Sequence, residues 1–174
     1  MEKNSQRLIP LIVTVGQVVI FPYYIIWLKE VSMSFTLFAW LFAVFSFSAA
    51  WGFRTYSVKK PDSSAYISAI YSGMGLVYIA AGWMVFPVEM LPYAALLMQI
   101  GLGFLQGYFR AWHIQKPSYR VHAVHHYLLV GIIMIGLSFV KIFSPSIFLI
   151  FFGVLLFISG WWEWRYRKGE RKYD

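Results

Sequence analysis

Six apolar stretches alternate with short polar segments along this chain: 8–28, 35–53, 66–86, 93–109, 121–143 and 146–162. A helix rises about 1.5 Å per residue, so the 21 residues of 8–28 are enough to cross a hydrocarbon layer of roughly 30 Å. The pattern predicts six membrane helices. Pro22 removes one backbone donor from the first and is expected to kink it. Pro61-Asp62-Ser63-Ser64 supplies a turn and an N-cap before the third. The segments 87–92 and 141–145 read as tight turns at the opposite end.

The helices fall naturally into three consecutive hairpins, about 8–53, 66–109 and 121–164, within a single domain of 174 residues. A spacing of 56 relates Phe53, Arg54, Lys60, Pro61 and Gly75 to Phe109, Arg110, Lys116, Pro117 and Gly131, and Trp27 to Trp83. Such a period suggests a parallel repeat of the hairpin. Recurrent use of basic, aromatic and proline residues at interfaces would produce the same pattern without duplication. Helix 3 is rich in small residues (Ser68, Ser72, Gly73, Gly75, Gly82), and helix 4 carries Gly103 and Gly107 in a GxxxG pair. These two helices are therefore expected to pack closely, with Gly103 and Gly107 near Ser72 and Gly75.

Composition sharpens the class. With 60% hydrophobic and 13% charged residues and a mean hydropathy of +0.63, the chain has too little polar surface for a water-soluble globule of this size. A net charge of +8 raises the possibility of nucleic-acid binding. The distribution of that charge excludes it: every Lys and Arg except Lys29 and Lys141 lies before helix 1, between helices 2 and 3, between helices 4 and 5, or in the tail 165–174. All four segments share one side of a six-helix protein, as the positive-inside rule requires of the cytoplasmic face. Both termini are expected there, in the cytoplasmic membrane of a bacterium. The first apolar stretch lacks a small-x-small cleavage site and reads as a retained helix rather than a signal peptide. Trp161, Trp162, Trp164 and Tyr166 fit an aromatic belt.

Candidate chemistry concentrates in one stretch. All four histidines, His113, His122, His125 and His126, fall in the basic loop after helix 4 and the first turns of helix 5. Residues three and four apart share a helix face, so His122, His125 and His126 could hold a transition metal or haem, with His113 and Glu163 as further ligands. The surrounding cations oppose a divalent metal, which favours interfacial histidines without a cofactor. The string His-x-x-His-His also occurs in membrane di-iron hydroxylases and desaturases. Those sites need further histidine boxes that this chain lacks. Without cysteine there is no thiolate chemistry, and no acid–base or nucleophile motif points to an enzyme. Ionisable residues are missing from the middle of every helix, which argues against a proton-coupled pump.

The remaining interior polar residues, Gln17, Tyr71, Tyr78, Gln99 and Gln106, need partners in hydrocarbon. They serve either as hydrogen bonds between helices or as the polar groups of an aromatic-lined ligand cavity. The sequence thus reads as an all-α polytopic membrane protein without catalytic activity. It would bind a small apolar or amphipathic ligand, or serve as a subunit of a membrane complex, with lipids, a partner subunit or a second copy as its partners. A histidine-dependent metal or haem protein, and a sensing module signalling through its basic tail, are the alternatives.

Overall fold

The computed structural model describes residues 2–30, 34–59, 65–83, 89–115, 119–138 and 144–170. They form six helices: α1 (Glu2–Glu30), α2 (Phe35–Lys59), α3 (Ala65–Trp83), α4 (Leu91–Ile114), α5 (Tyr119–Ser138) and α6 (Pro145–Glu170). Among the described residues there is no strand. Three helical stretches, Ile9–Lys29, Phe35–Lys59 and Pro145–Arg165, are long and apolar enough to cross a membrane. The proposed Pro61–Ser64 turn lies outside the described residues, as does most of the 141–145 turn; of 87–92, the described part holds a turn at Glu89 and Met90 leading into α4.

The helices run beyond their apolar stretches. α2 passes through Arg54 to Lys59, and α4 passes through Arg110 and His113 to Ile114. The sequence reading placed these cations and His113 in loops. Nothing from Phe53 to Lys59 or from Phe109 to Ile114 breaks a helix; only Pro61 and Pro117 disfavour helical backbone before them. α1 likewise continues through Pro10 and Pro22.

Backbone contact decides which helices pair. Ser68, Gly75 and Gly82 stand seven residues apart on α3, and Ser146, Gly153 and Gly160 do the same on α6. A period of seven keeps each row on one helix face. The two rows meet antiparallel: a Cβ at Gly75 would stand 2.7 Å from the Gly153 carbonyl oxygen, and a Cβ at Gly153 2.7 Å from that of Gly75. A Cβ at Gly82 would stand 2.6 Å from the Ser146 carbonyl oxygen. At the other end the Ser68 hydroxyl donates to the Gly160 carbonyl at 2.5 Å. That bond ties two backbones that no larger side chain would let approach.

α2 and α4 form the second close pair, in parallel. A Cβ at Gly103 would stand 2.5 Å from the Phe45 carbonyl oxygen, Gly107 faces the Ala49 carbonyl, and Gly52 faces that of Phe104. This corrects the expected partner of the GxxxG pair, which packs on α2 rather than on α3. α3 does touch α4, but through side chains: Gly73 faces the Leu105 methyls, and the Tyr71 and Phe109 rings lie 5.5 Å apart. The tightest pairs therefore join helices from different hairpins of the sequence.

α1 lies against α6 and α3 through aromatics. Gly16 leaves room for the Phe152 ring, Tyr23 stacks on Phe148 of α6 at 4.3 Å, and Tyr24 meets Tyr78 of α3 edge-on at 6.0 Å. α5 touches chiefly α1. It has no seam of small residues in use, since a Cβ at Gly131 or Gly136 would meet nothing within 4 Å. Positions 56 apart also differ in surroundings. Gly75 is locked against α6 whereas Gly131 is open, and Trp27 is buried whereas Trp83 is exposed. Large apolar side chains cover the outside of the bundle, among them Phe35, Phe47, Leu97 and Phe151. An apolar surface of this extent matches hydrocarbon rather than water.

Two glycine substitutions separate the seams from open helix. Gly107→Ala drives a methyl into the Ala49 carbonyl and is expected to cost about 1 to 3 kcal/mol. Gly131→Ala meets no neighbour and should be neutral, or gain up to about 1 kcal/mol of helix propensity. Thermal unfolding in detergent reads both, and equal melting temperatures for the two variants would refute the α2/α4 seam.

Candidate functional site

α4 carries polar residues at a period of seven, Gln99, Gln106 and His113, with Arg110 between the last two. They share one side of the helix. Because Gly103 and Gly107 draw α4 onto α2, and α5 stands off from both, a cavity of about 360 Å³ remains between α1, α2, α4 and the start of α5. Thr14, Gln17 and Val18 line it from α1, Phe45 and Ala49 from α2, and His126 and Tyr127 from α5. α4 supplies Gln106, Gly107, Phe109, Arg110 and His113.

The lining is graded along α4. Gly103 faces Phe45 and Gly107 faces Ala49, so Phe45 marks the deep end. Gln106 and His113 are two turns apart, about 10 Å. At the inner level, Gln106 Nε2 donates to the Tyr78 hydroxyl at 3.1 Å, and Gln17 Nε2 donates to the Met74 sulfur at 3.5 Å. The Thr14 hydroxyl is turned back on its own helix, donating to the carbonyls of Pro10 at 2.9 Å and Leu11 at 3.0 Å. At the mouth stand Arg110, exposed, and His113, buried with its ring 5.7 Å from that of Phe109. His126 sits across from them at the start of the apolar part of α5 and is edge-on to Tyr127 at 5.3 Å.

Residues assigned from sequence to two rival sites thus meet in one cavity: Gln17 and Gln106 from the ligand set, His113 and His126 from the metal set. Tyr78 reaches it through Gln106, and Tyr71 packs behind Phe109. Gln99 does not line it. It is 1% exposed, and its Oε1 has no hydrogen-bond partner among the described residues. His122 and His125 belong to the first turns of α5, and their side chains lie outside the described residues. No three His, Asp or Glu side chains gather among the described residues. Sequence reasoning missed Thr14, Phe45, Ala49 and Phe109 as lining residues, and took Arg110 only as a topogenic charge. The signal for Arg110 was present in the stripe Gln106, Arg110, His113, spaced four and three apart.

Fold and surface together define the class: an all-helical membrane protein built as a six-helix bundle with a cavity at one end. Comparison with known proteins takes this no further, since no family model, no curated protein and no solved structure matches the chain.

The Gln106–Tyr78 bond joins the cavity wall to the core. A double-mutant cycle of Gln106→Leu and Tyr78→Phe, read by thermal unfolding in detergent, should give a coupling of about 0.6 kcal/mol and at most about 1.7. Strict additivity would show that the two side chains do not interact.

Proposed function

We propose that this protein spans the membrane six times and binds a small amphipathic molecule in the cavity between α1, α2, α4 and α5. The observation that carries the reading is the division of the lining: Val18, Phe45, Ala49 and Phe109 are apolar, while Arg110, His113 and His126 bring a guanidinium and two imidazoles to the same wall. Small-molecule sites are typically concave and mostly apolar, with a few convergent polar groups, and volumes from about 300 Å³ upward are usual. We read the role as binding rather than catalysis, because among the described residues the cavity wall offers no carboxylate, and the Thr14 hydroxyl is already committed to backbone carbonyls.

Six spans are supported by the directions of the helices. α3 runs opposite to α6 and α4, and α2 runs with α4, so Arg54, Arg110 and Arg165 come to one end of the bundle. On this reading α3, α4 and α5 cross the membrane as well, although the longest apolar stretches belong to α1, α2 and α6. α3 and α4 are enclosed along much of their length, with Ile67, Tyr71, Met74 and Tyr78 of α3 and Ala95, Gln99, Leu102 and Phe109 of α4 buried. The basic end, with both termini, faces the cytoplasm. Cysteines placed at Glu89 and Gln115 of this Cys-free chain should then react with impermeant maleimide from opposite sides. Labelling from the same side would refute the six-span topology.

For the ligand, native mass spectrometry of protein extracted in mild detergent should show one bound small molecule. Val18→Trp, which fills the cavity from α1, should remove it without unfolding the bundle. A wild type that carries and takes up no amphiphile would overturn the reading.

The convergence of His113 and His126 also favours a second reading, a metal or haem held at the mouth. His122 and His125, on the same turns of α5, are its further candidate ligands. Metal analysis and a visible spectrum distinguish it: about one equivalent of metal or haem, lost in His113→Gln with His126→Gln, would establish it over the first.

A further inference from the structure

The cavity is one-sided in charge as well as in polarity. Arg110 is a permanent cation on its wall, the imidazoles of His113 and His126 stand on the same wall, and among the described residues no Asp or Glu lines it. A guanidinium presents five N–H donors in a planar fork that matches a carboxylate or phosphate. A neutral or cationic head placed there would leave that fork without an acceptor.

The dimensions limit the rest of the molecule. At about 30 Å³ for a water-sized group, 360 Å³ holds roughly a dozen such groups. An anionic head and about eight to ten carbons fit this space. Stretched from Arg110 past Gln106, such a chain reaches Val18 and Phe45, and Val18 is itself 47% exposed on α1. A longer tail would leave the cavity there and continue into hydrocarbon. The two glutamines pose no barrier to it, because the Nε2 groups of Gln17 and Gln106 are already bonded to Met74 and Tyr78.

We infer that the ligand is a single-chain amphiphile with an anionic head, a carboxylate or phosphate, bound by Arg110 between His113 and His126 with its chain along α4 toward Val18 and Phe45. This rests on the amphiphile-binding reading of the cavity and names the class of molecule it takes. Arg110 is thereby a headgroup ligand as well as a topogenic charge.

The test uses the full chain in a maltoside detergent with three probes: decyl phosphate, decanol and inorganic phosphate, followed by calorimetry and native mass spectrometry. Decyl phosphate should bind one equivalent at least tenfold more tightly than decanol. Arg110→Gln should abolish that preference by weakening decyl phosphate to the level of decanol, while Arg110→Lys should retain part of it. Arg54→Gln removes an exposed cation at the same end of the bundle but away from the cavity, and should change nothing. Val18→Trp should block both ten-carbon probes. If decanol binds as tightly as decyl phosphate, or if the preference survives in Arg110→Gln, the anionic class is wrong while the amphiphile-binding cavity stands. Inorganic phosphate binding as tightly as decyl phosphate would show a free-anion site and overturn the amphiphile. If neither ten-carbon probe binds, the parent reading fails as well. Melting temperatures of Arg110→Gln and Arg110→Lys near that of the wild type confirm that each binding loss is local.

Discussion

Close approach of helix backbones is the constraint on which this structure depends. In a bilayer, apolar side chains gain little by leaving lipid for protein, so association rests on dispersion contact and on hydrogen bonds between helices. Small residues supply the first by removing the side chains that would hold the backbones apart. The rows Ser68, Gly75, Gly82 and Ser146, Gly153, Gly160 do this along the whole of the α3/α6 seam, and Ser68 adds a hydrogen bond across it. Gly52, Gly103 and Gly107 do the same between α2 and α4.

The cavity follows from where these seams are and where one is missing. α4 is held to α2 by its glycine face, which leaves Gln106, Arg110 and His113 turned toward α1 and α5. α5 has glycines but no partner row to receive them, so it cannot close on α4 as α6 closes on α3. The space left is walled by aromatics and floored by amides that already have partners. A gap of this kind forfeits contact energy along its walls.

Much of this was legible in the sequence. The six helices, the basic segments between alternate pairs and the small residues of α3 are all readable from the chain, because apolar stretches and the residues that interrupt them are local features of the sequence. Helix ends were harder, since the apolar stretch stops at Phe109 while the helix continues through Arg110 and His113 to Ile114, short of Pro117. The candidate residues Gln17, Gln106, His113 and His126 were each visible as polar groups in an apolar setting. That two of them were assigned to one site and two to another reflects their separation along the chain, from position 17 to position 126.

By itself, then, the sequence determined that this is a helical membrane protein, roughly where its helices lie, and which side chains must find partners. Only the tertiary structure decided the partners. Glycine and serine rows offer any helix the same smooth surface, so nothing in α4 alone distinguishes α2 from α3 as the face that Gly103 and Gly107 meet. The choice is made by the fit of whole surfaces: α3 spends its small row on the matching row of α6, and α4 is left to pair with α2. Once that is set, the register of α4 turns Gln106, Arg110 and His113 toward a common space, and residues far apart in the chain come to line one cavity.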